Sequence, residues 1–97
     1  MNEDKSTTSW LNLYGKELLN STDTSLESLD IDPEQITLLL EIAKVVAHGT
    51  ERKNAPLATY LVGRYVADRR NKDSSISIET LIAQALKVAE SMVDLDE

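Results

Sequence analysis

Apolar residues recur at helical spacing in four stretches of this chain, and no stretch sustains the alternation of a strand. In the first, Trp10, Leu11, Tyr14 and Leu18 fall at i, i+1, i+4 and i+8, with Thr8 or Ser9 placed to cap the start. The pattern fades at Asn20–Thr24, where short polar side chains compete for backbone hydrogen bonds. Leu26, Leu29 and Ile31 then punctuate an acidic connector and predict a short extra helical turn. A second helix has clear start signals: Asp32 as N-cap, Pro33 at the first helical position and Gln35 at the capping-box position. Ile36, Leu39, Leu40, Ala43, Val46 and Ala47 make one face, and Leu38, Ile42 and Val45 a second. A helix apolar over most of its circumference needs wrapping by others, which makes this the central element. His48 falls in its last turn, and Gly49 suits a left-handed terminating residue.

The third helix is predicted from Asn54, with Pro56 in its first turn and a broad apolar face from Leu57 to Ala67. Gly63 interrupts it at about 1 kcal/mol relative to alanine, which suggests close approach of a neighbouring backbone. Arg69, Arg70 and Lys72 gather at its C-terminal end, where positive charge complements the helix dipole. Ser77 caps a fourth helix with Glu79 in its first turn, and Ile78, Leu81, Ile82, Ala85, Leu86, Ala89 and Met92 give it a strong amphipathic pattern. Short links between helices two, three and four favour antiparallel neighbours. The expected fold is therefore all-α: a single-domain, four-helix up-and-down bundle over residues 8–93, with the short extra turn between helices 1 and 2. Residues 1–7 are expected to form a disordered N-terminal tail and 94–97 an acidic C-terminal tail.

Composition narrows the function classes. At 97 residues the chain makes one modest core, and without cysteine it has neither disulfides nor thiolate chemistry. It has no long apolar run, and its first residues lack the pattern of a secretion signal, so a soluble cytoplasmic protein is expected. The net charge of −7 is uneven. Residues 1–32 carry two bases and seven acids, residues 33–72 seven bases and four acids, and residues 73–97 one base and six acids. The net charge of −7 argues against a general nucleic-acid binder, and the relatively basic middle between acidic flanks reads as intramolecular complementarity or as a face for an anionic ligand or partner. Helix three, with Arg64, Arg69 and Arg70, is too apolar for a recognition helix. One histidine and no cysteine fall short of a metal site, and no phosphate-loop or dinucleotide motif is present, so no cofactor is expected.

Polar chemistry concentrates in one place, the link between the two most apolar helices. His48, Glu51, Arg52, Lys53 and Asn54 lie there, followed by Pro56, Thr59, Tyr60 and Arg64 in the early turns of helix three. The start of that helix offers backbone N–H donors, and Arg52 and Lys53 stand just before it, a combination suited to an anion. The expectation is a ligand- or partner-binding corner, taking a phosphate-bearing small molecule or a partner protein, with His48 orienting the loop. Two rivals stand beside it. One is a self-associating structural module that buries surplus apolar faces in a homodimer. The other is a small enzyme using His48 and Glu51, which needs a second positioned group and a shielded cleft.

Residues 38–67 resemble a small actinobacterial helical domain family of unknown function. The resemblance rests on a Val-Ala-His motif, an arginine four residues beyond the histidine, an Ala-Pro-Leu motif and a following glycine. Here these are Ala47, His48, Arg52, Ala55, Pro56, Leu57 and Gly63, and the likeness extends to Trp10 and Leu11. Ile42 stands where leucine is common, and a polar tail follows Met92. Members of that family occur alone or fused C-terminally to nucleotidyltransferases similar to molybdenum-cofactor guanylyltransferase. The resemblance implies an accessory module associated with synthesis of molybdopterin guanine dinucleotide, with such a nucleotidyltransferase as partner. It implies no reaction for this chain.

Overall fold

In a computed structural model, which describes residues 3–21, 23 and 29–94, the chain is all-α with four helices. They are α1 (Glu3–Ser21), α2 (Pro33–Gly49), α3 (Asn54–Lys72) and α4 (Ile78–Asp94). The chain groups into two compact units, Met1–Ile36 and Thr37–Glu97, and α2 begins in the first and continues through the second. Among the described residues no helix is long and apolar enough to cross a membrane.

The first unit contains α1 and a strap. Helix α1 starts at Glu3, earlier than the cap expected at Thr8 or Ser9, so much of the supposed N-terminal tail is helical. No proline or glycine precedes Gly15, and helix propagation costs far less than nucleation. Asn12 Oδ1 accepts a hydrogen bond from the Ile31 N–H at 2.8 Å, and Gly15 lets the strap lie close. A Cβ at Gly15 would sit 2.5 Å from the Leu29 carbonyl oxygen. The extra helical turn expected around Leu26 falls on residues 24–28, outside the described residues, while residues 29–32 are not helical. The stripe read as the buried face of α1 is largely open: Trp10, Tyr14 and Leu18 are exposed, and the Trp10 and Tyr14 rings stack at 5.3 Å.

Helix α2 starts as its sequence predicts. Asp32 Oδ1 accepts from the Gln35 N–H at 2.9 Å, and Gln35 Oε1 accepts from the Asp32 N–H at 3.3 Å. This reciprocal box satisfies donors that the helix itself leaves open.

In the second unit, Ile42, Leu81 and Ile82 are buried. Helices α3 and α4 pack against each other. Ser77 caps α4, its Oγ accepting from the Thr80 N–H at 3.0 Å. In the turn before it, Asp73 accepts from the Ser75 hydroxyl at 2.6 Å and the Ser75 N–H at 3.1 Å. The hydroxyl bond, then the backbone bond, hold the Asp73 carboxyl below the usual aspartate value, with Arg69 adding a smaller pull against slight desolvation.

Both glycine expectations in this unit are corrected. Gly49 is not left-handed; among the described residues no glycine has positive φ. The need for glycine there is steric, because α4 passes so close that a Cβ would overlap the γ-carbons of Val93, with Cγ2 at 2.6 Å. Gly63 makes no close approach, since a Cβ there would meet nothing within 4 Å. The wrapping of α2 is incomplete, with Leu40 exposed, and α3 has no buried residue despite its broad apolar face.

Candidate functional site

The second unit is open along one side. An apolar trough of about 710 Å³ runs between α3 and α4 over a floor that includes Ile42 and Val46 of α2. Leu57 and Leu61 form one wall, 62% and 59% exposed, and Val88 and Met92 the other, 54% and 64% exposed. Each pair is spaced i, i+4, one helical turn, so each wall is a continuous ridge. Ala58, Ala85 and Ala89 line the space between, and their small side chains keep it wide. Among the described residues no Asp, Glu, Lys, Arg or His lines the trough; its polar members are Thr50, Asn54, Gln84 and Tyr65.

Thr50 and Asn54 belong to the polar corner, so the corner forms one end of the trough. Its backbone is held by its own groups. The Thr50 N–H and hydroxyl both donate to the Val46 carbonyl, at 2.9 and 2.7 Å, and Asn54 Nδ2 donates to Thr50 Oγ1 at 3.0 Å. The carbonyls of Glu51 and Arg52 accept from the Asn54 and Ala55 N–H groups, at 3.0 and 3.1 Å. This alters the anion-binding expectation. Two donors that sequence left free at the start of α3 are satisfied inside the turn, and Pro56 has none. Helix α3 has Lys53 at its N-cap, with no side-chain capping bond.

The expected site residues lie on the surface. His48, Glu51, Arg52, Lys53, Pro56, Tyr60 and Arg64 are exposed, and Asn54 and Thr59 are half-buried. Lys53 Nζ pairs with Glu51 Oε1 at 3.5 Å, an open contact worth little in water. Arg64 stands over the Tyr60 ring at 5.8 Å from its centroid, on the flank of α3 outside the trough. The Thr59 hydroxyl donates back to the Pro56 carbonyl at 2.9 Å and so is used by its own helix. His48 and Glu51 do not hydrogen-bond to each other, and neither is among the residues that line the trough. Among the described residues no three His, Cys, Asp or Glu side chains gather as a metal site would require.

Sequence reasoning missed the trough itself. Leu57, Leu61, Val62, Tyr65 and Met92 were legible as apolar faces, and apolar faces default to core. The available hint was surplus: α2 and α3 each carry apolar residues over a broad part of their circumference.

This chain belongs to a domain-of-unknown-function family, DUF6457, whose sequence profile matches residues 2–97. No curated protein and no solved structure matches it.

Proposed function

We propose that this member of the DUF6457 family is a non-enzymatic accessory module that binds another protein. The trough between α3 and α4 and the adjoining His48–Leu57 corner form its contact surface. The observation that carries the reading is the uncovered trough, whose four wall side chains are each more than half exposed. Contiguous exposed apolar surface is a common feature of docking sites. The corner supplies a polar rim in which Arg52 makes no ion pair among the described residues.

Of the two ligand classes the sequence suggests, a protein suits the geometry better than a phosphate-bearing small molecule. The start of α3 has two of its N–H groups engaged internally, and Pro56 has none to offer. The finer assignment, service to a molybdenum-cofactor nucleotidyltransferase, rests on the sequence resemblance alone. Calorimetric titration of the purified chain into that nucleotidyltransferase from the same host tests it. The expected result is saturable binding that Leu57→Glu combined with Arg52→Ala abolishes, with the helical circular dichroism spectrum unchanged. Binding that persists in the double variant would reject the trough and corner as the contact surface. Absence of binding by the unaltered chain would reject the molybdenum-cofactor assignment.

A further inference from the structure

Resting on the reading of the trough as a docking surface, we propose that the partner enters it as an amphipathic α-helix of about three turns, bearing an acidic side chain beside Arg64. The backbone of the walls is the first argument. From Ala58 to Tyr65 on α3 and from Gln84 to Ala89 on α4, each wall is helix interior, where N–H and C=O groups bond along the helix. An extended segment laid against these walls would lose water from its own backbone and find no sheet edge to pair with. A polyproline segment docks between aromatic rings, and among the described residues Tyr65 is the one ring in the lining. A helix satisfies its own backbone and asks the trough only for apolar contact.

Size is the second argument. The lining runs from Asn54 to Tyr65 on α3 and from Gln84 to Val93 on α4. At about 1.5 Å per residue each wall is roughly 14–16 Å long, the length of about three helical turns. A helix of that length and about 10 Å across fills roughly 1,300 Å³, against about 710 Å³ in the trough. Only one side of it enters, so the guest is apolar at i, i+3, i+4 and i+7 and polar on the side left in water. Charge at the rim is the third argument. Helix α3 carries four bases and one acid, a positive local field in a chain of net charge −7. Arg64 follows Leu61 along the outer edge of the α3 ridge, with its guanidinium over the Tyr60 ring. The acid one turn on, Asp68, is engaged by Lys72 at 3.3 Å, and Arg64 makes no ion pair among the described residues. A carboxylate on the flank of the guest helix supplies that partner.

Selection from two displayed peptide libraries on the full chain tests the proposal. One library randomises two turns of a short helix-forming peptide. The other randomises the same positions around a central proline, which breaks the helix. The expected winners come from the first, with large apolar residues at i, i+3 or i+4 and i+7, and Asp or Glu at a flanking position. Fluorescence anisotropy with a winning peptide then locates its contacts. Leu61→Glu should weaken binding by on the order of tenfold or more, with the helical spectrum of the chain retained because Leu61 is 59% exposed. Arg64→Ala should weaken it by roughly two- to fivefold, as for an exposed ion pair. Replacing the acid of the peptide by its amide should then cost nothing further. Equal enrichment from the proline library, no enrichment from either, or winners that bind the Leu61→Glu chain as tightly would overturn the helical guest. Winners with neutral or basic flanks, or an acid whose loss costs the same with and without Arg64, would overturn the acidic contact. The titration described above separates these failures from that of the docking surface. Nucleotidyltransferase binding that the Leu57→Glu, Arg52→Ala variant abolishes, beside a failed selection, overturns the helix alone. Binding that survives that variant, beside a failed selection, overturns both.

Discussion

The two halves of α4 carry one apolar spacing and end in opposite surroundings. Leu81, near the start, is 1% exposed, whereas Val88 and Met92, on later turns, are 54% and 64% exposed. Nothing in the side chains separates them: all are apolar and all lie on the amphipathic face. The difference lies in what stands opposite. Leu81 and Ile82 are buried and do not line the trough, while the later turns border it. Helical periodicity therefore specifies which side of α4 is apolar, and the neighbours available along its length decide whether that side is covered.

The sharpest break of this comparison is a matched truncation. Leu81→Ala should lower unfolding free energy by about 2–5 kcal/mol, the range for removing a large buried side chain. Val88→Ala should cost about 0.5 kcal/mol or less in dilute protein, because its methyl groups already face water. Urea denaturation of both variants reads the contrast, and equal losses would mean that the trough is closed in solution.

An intermediate effect is expected at Gly49, which sharpens the comparison by showing that the open half of α4 is still held on one side. Alanine there gains helix propensity but overlaps the Val93 side chain. The clash should prevail, with a net loss of about 1–3 kcal/mol. Val93→Ala in the same chain should recover part of it, since the obstructing atoms are the Val93 methyls. A Gly49→Ala variant as stable as the parent would show that α4 is free to shift at this end.

The smallest effect belongs to the turn that starts α4. The Asp73 carboxyl is held below its ordinary value by the Ser75 hydroxyl and N–H. A carboxylate with a lowered folded-state pKa stabilises the fold above its unfolded value of 3.8, and that contribution is lost as pH falls through the folded value. Asp73→Asn should therefore melt slightly below the parent at neutral pH. The gap should close as the solution is acidified through and below pH 3.8. Thermal melts along a pH series check this, and a gap that is independent of pH would remove the Asp73–Ser75 bonds as its cause.

The candidate site was legible in part. His48, Glu51, Arg52 and Lys53 stood out as the one dense mix of titratable groups, and the structure leaves all four on the surface. Sequence did not reveal that the Glu51 and Arg52 carbonyls take the N–H groups of Asn54 and Ala55. The number of free donors at a helix start depends on the backbone angles of the preceding loop, which residue identity only weakly constrains. Gly63 shows the converse. Its cost in a helix is readable from sequence, but the neighbour expected to explain it is absent, and nothing in the structure accounts for glycine there.

By itself the sequence determined the four helices, the Asp32–Gln35 box, the Ser77 cap and the side of each helix that is apolar. Each depends on groups within about four residues of one another, the reach of a helical hydrogen bond or cap. Only the tertiary structure decided that Gly15 accommodates the Leu29 strap and Gly49 the Val93 side chain, that α3 has no buried residue, and that an apolar trough stays open beside it. Those outcomes depend on segments far apart in the chain coming together. Burial is a property of the pair of surfaces that meet, and a local pattern describes only one of them.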